Sequence, residues 1–396
     1  MSRLWDKGAA LDARVLAYTA QDDHQLDNRL VAYDIQASIA HAQMLQDAGL
    51  LNATDGAAIC AALQEIGVSH ARGDWRVTLE MEDSQTAIET LLTQKIGAAG
   101  GRLHAGRSRN DQVLAALRLY LRDAAGTLRS GALAVAQALE RLAQREGAQI
   151  LPGYTHLQQA MPSSVALWAG GFAAEVRDDA DGLLATLRRI DKNPLGSAAG
   201  YGTPGLPVDR DGTRRRLNFA LTQEPVTAVQ LSRGKAEAQL AFEIALLTQD
   251  IARLAADLLL FYTQEFAFVS LPDEFTTGSS IMPQKRNADV FELMRGRASL
   301  AQAALNEILG VTQKLTSGYH RDLQLIKLPL FRSIDACAQT LDILPAALDG
   351  VRFIPANIEL DPGIHAAEAA NKLVVSEGIP FREAYRIVGA KLKGST

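Results

Sequence analysis

The sequence predicts a mostly α protein built on a bundle of long, roughly antiparallel helices. Three observations carry this. The residues Leu240, Ile244, Leu247, Ile251, Leu254, Leu258 and Phe261 alternate steps of four and three, and 235–271 contains neither Gly nor Pro. One apolar seam therefore runs along a helix longer than ordinary globular ones. A second seam has the same spacing: Leu114, Leu117, Leu121, Ala124, Leu128, Gly131, Val135, Ala138 and Leu142. Its small residues stand where a neighbouring helix can approach closely. Strand-like alternation is scarce, with VTAVQL at 226–231 and the stretch 351–354 as short candidates.

The remaining elements follow from the same patterns. Segments 163–190 and 288–316 read as helices, the second rich in Ala, Leu and Gln. Helices this long, with seams on more than one side, imply a bundle that continues into neighbouring subunits. Three polar, turn-forming segments abut long helices and read as loops: 101–112 (GRLHAGRSRNDQ), 151–162 (LPGYTHLQQAMP) and 270–289 (SLPDEFTTGSSIMPQKRNAD). A fourth loop, 192–213, is rich in Gly and Pro. Its Gly200, Gly202 and Gly205 formally fit G-x-G-x-x-G. With no strand before it, Pro204 inside and no βαβ context, it is not a dinucleotide site. The expected organisation is an N-terminal helical domain (1–105), a central long-helix bundle (106–350) and a short C-terminal helical domain (351–396).

Composition narrows the function classes. The chain has 396 residues, 47% of them hydrophobic, enough for a large core. A net charge of −5, without long single-sign runs, argues against nucleic acid or an anionic membrane as the main partner. The two cysteines, Cys60 and Cys337, form no CxxC or Cys/His cluster, so neither a disulfide scaffold nor a metal site is expected. Both read as buried small apolar side chains. The N-terminal MSRLWDKGAALDAR has charges and no apolar core, unlike a secretory leader. No apolar stretch approaches the ~20 residues of a membrane helix. A cytoplasmic protein is the expectation.

The chemistry concentrates in the loops. GSSIMPQKRN, Gly278 to Asn287, places a Gly-flanked serine beside Lys285, with Asn287 near the start of the next helix, where a carboxylate is favoured. The string resembles the signature of the fumarase/aspartase superfamily, whose members cleave C–N or C–O bonds beta to a carboxylate and release fumarate. HAGRSRNDQ (His104 to Gln112), GYTHLQQAMP (Gly153 to Pro162) and YHRDLQLIK (Tyr319 to Lys327) resemble motifs of the argininosuccinate lyase family within it, in the same order and at similar separations. The resemblance runs from Leu4-Trp5 to about Gly389.

Elimination of this kind needs a base for a weakly acidic C–H, cations and donors around the resulting aci-carboxylate, and an acid for the departing nitrogen. The resemblance assigns these roles. Ser279 and His156 match the catalytic serine and histidine, with Lys285 the charge beside the serine. Glu292 matches an acidic partner of the histidine, although it also reads as a solvated helix-face charge. Ser279 as alkoxide taking the carbon-bound proton, with His156 protonating the leaving group, is one assignment; the reverse fits the same residues. Arg109, Asn110, Thr155 and Asn287 are expected at the succinyl end. Tyr319, Gln324 and Lys327 are expected at the carboxylate and amine of the arginine side, and Asp83 near the guanidinium. His104 reads as structural. The resemblance further implies argininosuccinate as substrate, no cofactor or metal, and a homotetramer whose active sites are shared between subunits.

The chain departs from the family at several positions. Gln85 stands where a histidine is common, and Asp23 where a substrate-contacting serine is usual. Ala288 replaces a proline after Asn287. The sequence stops soon after PFREAYRIVG, whereas family members continue for several helices, so the C-terminal domain is expected to be short or cut short. The rival readings are adenylosuccinate lyase, against which GRSRND argues, a non-enzymatic relative such as lens δ-crystallin, and a purely helical scaffold.

Overall fold

The computed structural model describes residues 12–393. Leu4, Trp5 and most of the stretch read for a leader lie outside them. The fold is mostly α, as the seams predict. No helix among the described residues is long and apolar enough to cross a membrane. The chain divides into two compact units: Met1–Arg129 with Gly182–Ala245 and Leu300–Ala336, and Ser130–Asp181 with Leu246–Ser299 and Cys337–Thr396.

In the first unit, α1 (Val31–Asp47), α2 (Ala53–Arg72) and α3 (Ser84–Ile96) form a small bundle. Helix α2 starts where the Asn52 side chain accepts the Asp55 N–H at 2.8 Å, and it stops at Gly73, whose φ of 84° closes the last turn. Asp83 caps α3 by accepting the Thr86 N–H at 2.7 Å. Val31, Ile35 and Leu45 of α1 pack with Ile59, Leu63 and Ile66 of α2 and with Ile88 and Leu92 of α3. Each such side chain contributes about 1.5–3 kcal/mol by leaving water. This bundle holds the start of α3, and with it Asp83, in place.

The long helices are α4 (Arg109–Glu146), α5 (Val165–Ala185), α6 (Lys235–Tyr262), α7 (Asp289–Thr312) and α8 (Lys327–Gly350). At 1.5 Å per residue, the 38 residues of α4 span roughly 57 Å. Every residue of the α6 seam is buried, as is every non-glycine residue of the α4 seam. At Gly131 a Cβ would lie 2.9 Å from Leu341 Cβ, the close helix approach that the small residue predicts. Helix α6 ends at Tyr262, nine residues before Leu271. The chain turns through Ala267 (φ 46°), and Val269–Ser270 pairs with Arg352–Phe353.

Four expectations are corrected. The 151–162 segment is a β-hairpin, β1 (Ile150–Thr155) with β2 (Gln158–Ser164), irregular at Gly153/Tyr154. VTAVQL is no strand: Ala228–Leu231 forms a helical turn. A two-residue strand, Lys192–Asn193, does precede the Gly-rich loop, pairing with Leu221–Thr222. That loop remains a turn region, with φ of 124°, 84° and 84° at Gly200, Gly202 and Gly205. Cys337 is buried and Cys60 only partly so; both are free. In the second unit, α9 (Ala366–Glu377) and α10 (Phe381–Lys393) pack through Ala370, Ala384 and Val388.

Candidate active site

Six of the expected binding residues meet in the first unit. Asp83, Arg109, Asn110, Tyr319, Gln324 and Lys327 line one cleft with about 550 Å³ of open space. Helix ends deliver five of them, and Tyr319 lies in the irregular segment just before a 3-10 turn. Arg109 and Asn110 open α4, Lys327 opens α8, Asp83 caps α3, and Gln324 closes a 3-10 turn, Arg321–Gln324.

The cleft is built from charge pairs. Lys327 is 3% exposed, with its Nζ 2.6 Å from Asp27 Oδ1 and 2.9 Å from Asp23 Oδ1. Burial alone would lower its pKa, but the charges of Asp27 and Asp23 outweigh that and raise it. Burial pushes the Asp27 carboxyl up, the Lys327 charge opposes, and the charge of Asp23 pushes it further. Arg109 donates from Nη1 to Asp83 Oδ2 at 2.8 Å, so one terminal nitrogen of the expected carboxylate grip is already engaged. Burial raises the Asp83 pKa against the pull of Arg109. Arg321 donates to Glu82 Oε1 at 2.5 Å, and Glu82 has a left-handed φ of 68°, a strained backbone held beside the cleft. The Arg233 guanidinium lies 5.7 Å from the centre of the Tyr319 ring. Among the described residues, the Asn110 side chain has no hydrogen-bond partner, leaving it available to a ligand.

A buried polar layer supports these groups. Asp34 accepts from Gln112 and Gln85 at 2.8 Å each and from Ser84 at 3.0 Å. Gln85, a departure from the resembled family, is thus one of the donors that satisfy this carboxylate. Asp111 accepts backbone N–H groups of Ser108, Gly196 and Ala198 at 2.8–2.9 Å, tying the start of α4 to the Gly-rich loop. Burial pushes its pKa up to about 6. His104 lies 3.3 Å from Glu89 and does not line the cleft.

The remaining site residues belong to the second unit. His156 and Leu157 are the two central residues of the β1–β2 hairpin, with φ of 53° and 59°. Two positive φ angles suit the twist of a two-residue hairpin, but Asn and Gly usually supply them. A His-Leu pair there is strained, and it presents Thr155 and His156 to solvent. The Ser279 loop is pinned at its ends: Thr277 N–H donates to Asn287 O at 3.0 Å, and Asn287 N–H donates to Thr277 O at 2.8 Å. Inside it, Ser279 Oγ accepts the Met282 N–H at 3.2 Å. Such a donor favours an oxyanion over a hydroxyl. Asn287 Nδ2 reaches Gly278 O at 3.4 Å. Lys285 and Glu292 are exposed. The described residues of one chain do not bring Glu292 to His156: neither side chain forms a hydrogen bond or ion pair among them. Among the described residues no group of three or more His, Cys, Asp or Glu is placed to hold a metal.

Sequence reasoning missed Asp27, Glu82, Arg233 and Arg321 as cleft residues. Arg321 lies inside a quoted motif, Glu82 immediately precedes Asp83, and Asp27 sits one helical turn after Asp23. Arg233 gives no local signal.

Comparison with known proteins bears on the family and the fold. A family model described as Lyase matches residues 10–302. The argininosuccinate lyase of Sorangium cellulosum (strain So ce56) is 47% identical over 98% of this chain and 90% of its own length. That of Phocaeicola vulgatus is 39% identical, covering 99% and 88%. Among solved structures, an EDDS lyase in complex with formate superposes with a TM-score of 0.83 at 26% identity, covering 96% of this chain and 76% of that one. The class II fumarase of Schistosoma mansoni, at 16% identity and a TM-score of 0.80 over 96% and 88%, shares the fold.

Proposed function

Because this chain belongs to the argininosuccinate lyase family, we propose that it splits argininosuccinate into arginine and fumarate, a step of arginine biosynthesis. The observation that carries the reading is the cleft in which Asp83, Arg109, Asn110, Tyr319, Gln324 and Lys327, supplied by separate segments of the chain, converge. Ser279 removes the proton from the succinyl carbon next to a carboxylate. The electron pair moves into that carboxylate as an aci-carboxylate and then forms the C=C bond of fumarate as the C–N bond breaks. His156 gives a proton to the departing guanidino nitrogen, so protons and electrons balance without a cofactor. The Met282 N–H on Ser279 Oγ favours this assignment over the reverse. Thr155, Asn287 and Lys285 surround the charged succinyl end, and Glu292 orients His156.

The same reading includes a homotetramer in which neighbouring copies complete each site, a cytoplasmic location, and the three-part organisation 1–105, 106–350 and 351–396. The test is fumarate release, followed by ultraviolet absorbance, with argininosuccinate and adenylosuccinate offered separately. We expect release from argininosuccinate alone, lowered about 10²- to 10⁴-fold in Ser279→Ala, the range of a lost proton-transfer group. Release from adenylosuccinate alone, or from neither, overturns the reading.

A further inference from the structure

The arginine end of the cleft holds a carboxylate where the resembled family places a serine. Asp23 is 7% exposed. Its oxygens meet the Lys327 Nζ at 2.9 Å and the Gln324 Nε2 at 2.5 Å. Those are two of the three side chains expected at the carboxylate and amine of the arginine half, and each already meets a carboxylate. Asp27 adds a second carboxylate to Lys327. Two formal negative charges against one positive attract a cation rather than another anion. A carboxylate has about four lone-pair sites, so Asp23 keeps acceptors for a further donor.

A second, independent observation concerns Arg233. It is 7% exposed and lines the same cleft, yet its Nε and Nη1 have no hydrogen-bond partner. The other lining cations are paired: Lys327 with Asp23 and Asp27, Arg109 with Asp83, and Arg321 with Glu82. A buried guanidinium with open N–H groups is costly until an anion meets it.

We propose that Asp23 is the specificity-determining residue of this cleft. Its carboxylate takes the α-ammonium of the arginine half while Arg233 takes the α-carboxylate, so the enzyme requires a free amino group and rejects Nα-acylated substrate. The inference deepens the lyase reading and rests on it for the identity of the ligand. Acylation removes the positive charge that Asp23 would meet and adds bulk.

The test is calorimetric titration of the full chain with L-arginine, Nα-acetyl-L-arginine and L-argininamide. A charged hydrogen bond contributes about 1.5–3 kcal/mol, so wild type binds L-arginine at least about tenfold more tightly than either analogue. Asp23→Asn keeps the shape and loses the charge. It brings arginine and acetylarginine to within about twofold and preserves the preference over argininamide. Arg233→Gln does the reverse. Asp23→Ser serves as the second variant if Asp23→Asn fails to fold, and the wild-type comparison stands without either. Equal wild-type binding of arginine and acetylarginine, no binding of arginine, or a ratio unchanged by the Asp23 variants overturns the proposal. Discrimination without fumarate release from argininosuccinate overturns the lyase reading and leaves the role of Asp23 standing. Fumarate release without discrimination overturns the role of Asp23 alone.

Discussion

Replacing Lys327 with methionine strands two buried carboxylates. Asp27 is fully buried, Asp23 nearly so, and Lys327 is the cation that both touch. Leaving an uncompensated buried charge costs about 3–5 kcal/mol, and we expect a loss of that order in urea unfolding at pH 8. Burial already holds the Asp27 pKa above its unfolded value, and removing Lys327 lifts it further. The folded variant then binds more protons than the unfolded chain, so its stability rises as pH falls through the folded pKa toward 3.9. The deficit therefore shrinks in acid; a deficit that stays constant down to the acid-unfolding transition would contradict this account. His41 gives the opposite sign. It is fully buried, and its Nε2 makes a 2.8 Å hydrogen bond with Ala105 O. Burial, aided by the Arg107 charge, drops its pKa to about 3. Its unfolded form protonates near 6.5, so below that pH the unfolded chain gains a proton that the folded chain refuses. This group then costs about 1.4 kcal/mol of stability per pH unit between 6.5 and 3. His41→Gln should flatten that acid limb in thermal melts taken from pH 7 to 5. At this scale the sequence was readable in part. Arg109 and Lys327 stood out through their motifs and Asp83 through the family resemblance, but their partners did not, because Asp83 and Arg109 are 26 residues apart and Asp27 and Lys327 are 300 apart. Only folding creates those pairs.

At the scale of elements, packing geometry decides where the sequence pattern is trustworthy. The seams of α4 and α6 were legible because each step of three or four returns an apolar residue to one buried face. The β1–β2 hairpin was not, because Pro152, Gly153 and Pro162 punctuate it as a loop would, and its strained His156-Leu157 tip lacks the usual turn residues. VTAVQL failed for a different reason: six residues with an ambiguous period are too few to separate a strand from a helical turn. Gly131 tests the close approach of α4 and α8. A Cβ there meets Leu341 Cβ at 2.9 Å, an atom fixed near its own backbone and unable to swing away. Alanine gains about 1 kcal/mol of helix propensity over glycine, comparable to the low end of an overpacking cost of about 1–3 kcal/mol. Valine adds two further methyl groups and less propensity, so the clash wins. Gly131→Val should lower the stability measured in urea by about 2 kcal/mol, and an unchanged midpoint would mean that the two helices separate freely.

For the whole molecule, the decisive feature is where the proposed acid and base stand. His156 sits exposed on a hairpin tip, and Glu292 is exposed on the first turn of α7, each with a side chain that has no hydrogen bond or ion pair among the described residues. A proton-transfer site works best when water is excluded and the imidazole is held by a partner. Neighbouring copies that cover these segments would supply both, which is the basis of the shared-site tetramer proposed above. Subunit mixing tests it without any assumption about which copy touches which. His156→Asn and Ser279→Ala are each inactive alone on this reading. If every site takes its histidine from one chain and its serine from another, equal mixing with full exchange makes both residues intact at half times half of the sites. About a quarter of wild-type activity should return in the hybrids. If each chain instead builds its site alone, every site carries one lesion and no activity returns. Exchange must be verified, for instance by mass spectrometry of differently tagged subunits, so that a silent mixture is a result about architecture. Recovery near a quarter would place His156 and Ser279 on different chains; complete silence after proven exchange would place both on one.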